Sequence, residues 1–430
     1  MSTQVPAMTD GSRPCSQQLN CGVRPPLSIG VVNPIPERHA PSNGRAEVLL
    51  RLNRSFFTAA GILVLLHSYI GFRLLPALGL DAVGMSTGVV LLALSAVLMP
   101  AAMMARSIES QPWSDRLTWA GMLTAGWFSS TFVLTLLRDV ALLPAWFLLP
   151  QSYRAPVTHW SAVAVVGLAL FATLAGLVNA RRRAKIVDVA IPMPNLAAAL
   201  HGFSIAQISD VHVGPTIKRG YVDAIVDAVN ELKVDVIAIT GDLVDGSVAQ
   251  LAAHVAPLAR LRARHGVYFV TGNHEYYSGE RSWTRKLRDL GLKVLMNQHV
   301  VIDHDGKPLV LAGVTDFGAH HFDAAQRSDP SASLQGAPAN SGPRILLAHQ
   351  PRTAPAAAAA GFDLQLSGHT HGGQFWPWNL FVRFQQPFTA GLHRLNQLRI
   401  YVSRGTGYWG PPKRFGAPSE ITRITLVPQA

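Results

Sequence analysis

The apolar positions divide this chain before any motif does. Between about Phe56 and Ala180 they run in long, nearly unbroken stretches, whereas after Arg181 they come in short bursts separated by polar turns. Four of the long stretches, Phe56 to Leu75, Ser86 to Ala105, Leu117 to Leu137 and His159 to Ala180, are long enough to cross a bilayer as helices of about twenty residues. Ala141 to Pro150 is apolar but too short to span and contains Pro144, so it reads as an interfacial or re-entrant piece with Trp146 at headgroup level; a fifth crossing there would invert the topology. Residues 1–54 are rich in Pro, Ser, Gly and Asn without periodicity and read as a disordered tail. Because the first apolar run begins only at Phe56, no cleaved signal peptide is expected. The expected organisation is a tail (1–54), a transmembrane helical region (55–185) and a soluble domain (186–430).

In the soluble part the period shortens. Phe203 to Ile208 and Val234 to Ile239 read as strands flanking an amphipathic helix, Gly220 to Leu232, with Val222, Ile225, Val226 and Val229 on one face. A helix over Val248 to Arg264 leads to a strand across Gly266 to Thr271, and another helix follows near Arg281 to Leu290. Beyond Lys293 short strands dominate: Val294 to Met296, Val300 to Ile302, Leu309 to Ala312, Ile345 to Ala348, Leu364 to Leu366, Leu398 to Val402 and Ile421 to Val427. The fold class is therefore α/β, with two β-rich layers flanked by helices, preceded by an all-α membrane bundle. Residues 323–343, full of Ser, Pro, Ala and Gly, read as a mobile surface insertion.

Composition sharpens this picture. A hydrophobic content of 49% with 14% charged residues is too apolar for an ordinary soluble protein of 430 residues. The net charge of +12 raises nucleic acid as a partner, yet the basic residues form no aromatic-interleaved stripe and many flank the apolar stretches, so none is expected. With four crossings, Arg45, Arg51, Arg54, Arg106, Arg116, Arg181, Arg182, Arg183 and Lys185 fall on one side and only Arg73, Arg138 and Arg154 on the other. That asymmetry places the soluble domain in the cytoplasm of a multi-pass plasma (inner) membrane protein. His67 alone is ionisable well inside a span and reads as a packed histidine, so the helices are expected to anchor. Cys15 and Cys21 both lie in the tail, which excludes a disulfide framework for the soluble domain.

Chemistry gathers where the strands end. Asp210-Val-His212, Gly241-Asp242, Gly272-Asn273-His274-Glu275, His349 and Gly368-His369-Thr370-His371 each follow an apolar run, and strand ends are where an open α/β sheet collects groups distant in sequence. Singly each has an ordinary explanation: Asp-x-His a turn, Gly-Asp a turn, Asn273 an Asx-turn, the two late histidines solvent exposure. Their recurrence points to a metal site. Carboxylate, imidazole and amide oxygen without thiolate suit Mn²⁺, Fe²⁺ or Zn²⁺. Seven candidates exceed one ion, and two ions sharing Asp242 would match the pair, about 3.5–4 Å apart, used for in-line displacement at phosphorus by a water deprotonated between them.

These motifs resemble the series of the calcineurin-like metallophosphoesterases, and Thr271 to Tyr277, Ser367 to Gln374 and Ser403 to Pro412 resemble its membrane-associated branch, over about residues 198–428. The resemblance implies an αββα sandwich. It also implies that Asp210, His212 and His371 hold a first metal, that Asn273, His349 and His369 hold a second, and that Asp242 bridges them. His274 would contact the phosphoryl group and protonate the leaving oxygen; its plain alternative is support of a ligand.

Other residues are candidates of a weaker kind. Arg404 reads as a phosphate contact or a surface salt bridge, and Asp316, His320 and His321 as pocket lining or solvated loop. Phe375, Trp376, Trp378, Phe381 and Phe384 form an aromatic stretch fit for a lipid entrance, a membrane contact or a core. The leading expectation is a membrane-anchored phosphoesterase cleaving a phosphodiester, phosphomonoester or pyrophosphate bond, on a lipid-linked or a soluble substrate. A non-catalytic sensor of a phosphorylated ligand and a transporter with an accessory phosphatase are the competing classes; the full ligand set argues against the first and the lack of intramembrane charge against the second.

Overall fold

A computed structural model describes residues 42–105, 108 and 110–429, with side chains from residue 57 onward. Residues 1–41, with Cys15 and Cys21, and Arg106 lie outside the described residues, as do the side chains of Arg45, Arg51 and Arg54. Residues from Thr58 onward form one compact unit.

Among the described residues four α-helices precede the sheets: α1 (Ser42–Leu74), α2 (Ala82–Met104), α3 (Gln111–Leu148) and α4 (Gln151–Arg181). α1 starts inside the segment whose composition reads as tail. All four are long and apolar enough to cross a membrane. α3 has 38 residues, hence a length of about 57 Å at 1.5 Å per residue, nearly twice a hydrocarbon core of about 30 Å. Pro144 lies inside it without ending it. The piece from Ala141 onward, expected to be interfacial or re-entrant, is thus the last part of α3 as far as Leu148, and no fifth crossing exists among the described residues. In an apolar surrounding an unbroken helix satisfies the backbone that a re-entrant loop would expose. His67 is packed as expected: Nδ1 lies 2.8 Å from the Leu63 carbonyl and Nε2 2.9 Å from Ser95 Oγ, with the ring stacked on Phe128.

The remainder is a four-layer sandwich. One sheet holds β1 (Lys185–Met193), β2 (Ser204–Ile208), β3 (Val236–Ile239), β4 (Val267–Phe269), β5 (Lys293–Val294) and β12 (Glu420–Pro428) in the order β1-β12-β2-β3-β4-β5. The other holds β6 (Gln298–His304), β7 (Lys307–Gly313), β8 (Arg344–Leu347), β9 (Leu364–Ser367), β10 (Gly391–Leu395) and β11 (Leu398–Val402) in the order β10-β11-β9-β8-β7-β6. β2 through β5 run parallel, as do β7, β8, β9 and β11. Buried Ile205, Val236 and Tyr268 of the first sheet meet Leu309, Ile345 and Leu364 of the second in the central core. The outer face of the first sheet packs on α5 (Arg219–Glu231), α6 (Val248–Val255) and α8 (Glu280–Asp289); that of the second packs on α10 (Ala354–Ala359). The long buried runs of parallel strands explain why these were legible.

Two edge strands were not. β1 follows the basic run at Arg181 directly and pairs in parallel with β12, although Pro192 and Pro194 make this stretch read as a linker from the sequence; Pro192 is tolerated because an edge strand needs only one row of hydrogen bonds. β10 pairs with β11 and has no buried residue. The insertion at 323–343 is held by hydrogen bonds: Thr315 and Asn297 donate to the Gln326 and Arg327 carbonyls, and α9 (Pro330–Ser333) buries Pro330 and Ser333. It is therefore packed against the domain, where composition reads as mobility.

Candidate metal centre

The carboxyl ends of β2, β3, β4, β8 and β9 lie together, three from one sheet and two from the other, and each releases its polar motif there. The chain turns sharply at these points. Asp210, His212, Asp242, His369 and His371 all adopt φ between 51° and 70°, a region costly for most side chains and best tolerated by Asp, Asn and His. Glycine clears the way twice. A Cβ on Gly272 would stand 2.2 Å from Asp242 Oδ1, and one on Gly368 would stand 1.9 Å from Ser209 Oγ and 2.2 Å from Asp210 Oδ2. So the loops approach as closely as backbone allows.

All seven candidate ligands come together. His212 Nε2 and His371 Nε2 are 3.1 Å apart, with Asp210 Oδ1 3.5 Å from the latter. His369 Nδ1 and His349 Nε2 are 3.2 Å apart, with Asp242 Oδ2 3.1 Å from His349 Nε2. Asp242 Oδ2 also lies 3.9 Å from His212 Nε2, so one oxygen faces both groups. Asp210, His212 and His371 form one cluster able to hold an ion, and Asp242, His349 and His369 a second. Asn273 Oδ1 is buried and accepts no hydrogen bond. An orphaned amide oxygen beside two imidazole pairs is costly unless a cation takes it.

The electrostatics agree with that fit. Asp210, Asp242 and Asp316 are at most 2% exposed, and Arg414 is the buried guanidinium nearby. Burial opposes both charges of the Asp242–His349 pair, but their mutual attraction wins, holding the carboxylate well below and the imidazole well above its ordinary value. Burial, with the neighbouring Asp242 charge, pushes Asp210 up. His369 is pulled down to about 3 by burial and by His349, and burial with Arg414 holds His371 well below the histidine range. His369 and His371 are thereby held neutral, the form that ligates a divalent cation, whereas His349 carries a proton that a bound cation would displace. The histidine tautomers are set from behind: Nδ1 of His349 donates to the Thr240 carbonyl at 2.8 Å, and Nδ1 of His212 faces Asp245 Oδ1 at 3.1 Å, leaving both Nε2 atoms toward the centre.

A family model for calcineurin-like phosphoesterases matches residues 203–373. An uncharacterized metallophosphoesterase of Aquifex aeolicus is 34% identical over 224 residues, 52% of this chain and 84% of that protein. This chain belongs to the calcineurin-like phosphoesterase family. A Danio rerio transmembrane protein with metallophosphoesterase domain is 40% identical over 272 residues, 61% of this chain and 62% of that protein. An uncharacterized metallophosphoesterase of Helicobacter pylori is 38% identical over 259 residues, 59% and 67% of the two chains. The match thus spans about three fifths of the transmembrane relative's length.

Within this phosphoesterase fold, Glu275 and Asp245, to which sequence reasoning assigned no role, support the centre. Fully buried Glu275 accepts from the backbone N–H of Gly272 and Leu243 at 2.7 Å, Asp242 at 3.1 Å and Val244 at 3.3 Å, binding the Asp242 loop to the Asn273 loop. Asp245 Oδ1 faces Nδ1 of both His212 (3.1 Å) and His274 (2.5 Å). Burial pulls the His274 imidazole down, but Asp245 and Asp242 outweigh it and hold it at about 9. His274 Nε2 then faces Asp242 Oδ2 at 3.9 Å. Their signal in the sequence was adjacency alone, three residues after Asp242 and two after Asn273.

Arg414 supports His371 from behind, with Nη2 3.1 Å from Nδ1 and Nη1 donating to the His371 carbonyl at 2.9 Å. Its neighbour Lys413 sends Nζ into the helices, donating to the Gly126 carbonyl at 3.0 Å and to Ser130 Oγ. Gly176 of α4 makes room, since a Cβ there would stand 2.5 Å from Lys413 Cγ. Arg404 is a salt bridge, 2.8 Å from Glu420 Oε2. A cleft of about 290 Å³ opens beside the centre, lined by Asn273, His369, Asp316, His321, Arg352 and Gln386 among others; His320 instead approaches the Phe317 carbonyl.

Proposed function

We propose that this chain is a membrane-anchored hydrolase of a phosphodiester, phosphomonoester or pyrophosphate bond, whose centre holds two divalent ions (Mn²⁺, Fe²⁺ or Zn²⁺). One observation carries the reading: Asp242 Oδ2 stands between two imidazole clusters while the buried Asn273 Oδ1 beside them has no partner. In this assignment Asp210, His212 and His371 hold one ion, Asn273, His349 and His369 the other, and Asp242 belongs to both. Ions bound there would supply Lewis-acid activation of water and stabilise charge on the phosphoryl oxygens.

The protein's own groups do the rest. His274, next in sequence to the cleft-lining Asn273 and held in place by Asp245, is 13% exposed at its side chain, so it stays accessible while remaining oriented. Its protonated Nε2 is placed to give a proton to the leaving oxygen. Arg352 adds a positive charge to the cleft wall, where a phosphate would enter. The distribution of Lys and Arg along the sequence supports a cytoplasmic position for the sandwich, at the inner face of a plasma membrane.

A non-catalytic sensor of a phosphorylated ligand is the second reading, favoured by the contact of Lys413 with α3, through which a signal would pass. It has no use for His274 held by Asp245. Metal analysis of the detergent-purified chain, with turnover of bis-p-nitrophenyl phosphate, separates the two. Two equivalents of metal and turnover that falls to background in Asp242→Asn are expected; bound metal without turnover of any phosphoester would establish the sensor.

A further inference from the structure

We propose that the segment Trp376 to Phe384 is sunk in the near leaflet of the membrane and that the cleft beside it takes its phosphoester from a lipid headgroup. This rests on the phosphoesterase reading and deepens it. The observation is one of depth. α1 and α3 are joined by Arg73 and Asp139 (2.6 Å), and Arg138 bonds Asp139, the Thr158 carbonyl and Ser161, so a belt of paired charge marks one edge of the apolar helices. Ser129 precedes Asp139 on α3 by ten residues, which is about 15 Å along the axis and about half of a 30 Å hydrocarbon core.

At that depth the sandwich touches the helices. Trp378 Nε1 donates to Ser129 Oγ at 2.9 Å, and Lys413 Nζ reaches the Gly126 carbonyl one turn nearer the sandwich. The segment around Trp378 is made for such a place. Trp378–Leu380 and Val382–Phe384 form two single turns with no buried residue, and Trp378, Leu380, Phe381 and Phe384 are 43–73% exposed. Its one charge, Arg383, folds its guanidinium over Phe384. Held beside α3, these side chains face acyl chains in place of water.

The same segment leads into the metal centre. It follows His371 in sequence, and the next residues, Gln385 and Gln386, line the cleft with Asn273 and His369. Arg352 Nε donates to the Gln385 carbonyl at 3.0 Å, fixing a cation at the passage from apolar surface to ligands. A lipid can thus keep its chains against Leu380, Phe381 and Phe384 while its phosphorus lies at the centre. In the step itself, water oxygen bonds to phosphorus, the ester P–O bond breaks, and the leaving oxygen departs with a proton. A free phosphate ester would use the cleft and leave the apolar segment idle.

The test uses the full chain in phosphatidylcholine vesicles. With Cys15 and Cys21 replaced by Ser, Phe384→Cys carries an environment-sensitive fluorophore, and nitroxide lipids labelled along the acyl chain are added. Quenching is expected; an unquenched label overturns the proposal. In parallel, bis-p-nitrophenyl phosphate turnover is inhibited by dioleoyl phosphatidic acid in the vesicles and by glycerol phosphate in solution. The lipid is expected to inhibit at least tenfold more strongly, and Leu380→Glu with Phe381→Glu and Phe384→Glu to remove that advantage. Equal inhibition by both, or an advantage that survives the triple variant, would sink it. Failure of the phosphoesterase reading shows differently: Asp242→Asn would keep its turnover whatever the label reports.

Discussion

The helical bundle and the carboxyl ends of the strands both bury polar groups, and they treat them in opposite ways. Among the described residues of the bundle the buried ionisable side chains are answered by the protein: His67 by Leu63 and Ser95, Arg138 by Asp139, Thr158 and Ser161. At the strand ends imidazole nitrogens face one another at 3.1 and 3.2 Å, carboxylates crowd together, and Asn273 Oδ1 has no donor. Buried polarity that is satisfied specifies a packing, whereas buried polarity left open specifies a ligand. What sets the strand ends apart is the convergence of imidazoles and carboxylates around the open Asn273 oxygen.

Substitutions can break or sharpen that contrast. The largest effect on rate is expected from His274→Ala, which should slow phosphoester turnover by about 10²–10⁴-fold, the range for a lost general acid, with bound metal unchanged by elemental analysis. Loss of metal in that variant would make His274 a support for the ligands. Glu275→Ala should cost stability on the order of 4 kcal/mol, from about 1 kcal/mol for each of the four N–H groups it strands, visible as a lowered melting midpoint in detergent.

Asp245→Asn is expected to weaken metal affinity by about 10–100-fold, because His212 and His274 lose the carboxylate that orients them, and titration with Mn²⁺ would measure it. The smallest effect belongs to the bundle. His67→Ala should cost about 1 kcal/mol of stability through the lost bond to Ser95 and leave turnover within twofold. A His67 variant with abolished turnover would show that the helices act in the chemistry.

Much of this was legible along the chain. The parallel strands were, because buried strands read as continuous apolar runs, and the seven candidate ligands were, because each stands just past such a run. β1 and β10 were not: edge strands carry mixed side chains, and β1 has Pro192 and a basic start. α3 was underestimated because Pro144 argues locally for a break, while the turns on either side sustain the helix.

By itself the sequence determined which residue types stand at the ends of strands and how much of the chain is apolar enough for a membrane, since both are properties of neighbours along the backbone. Only the tertiary structure decided that Asp242 faces two imidazole clusters, that Glu275 and Asp245 hold the loops and rings in place, and that Lys413 and Trp378 fasten the sandwich to α3. Those relations join segments tens to hundreds of residues apart. They exist only when burial brings the segments together, and no local pattern encodes the distance between them.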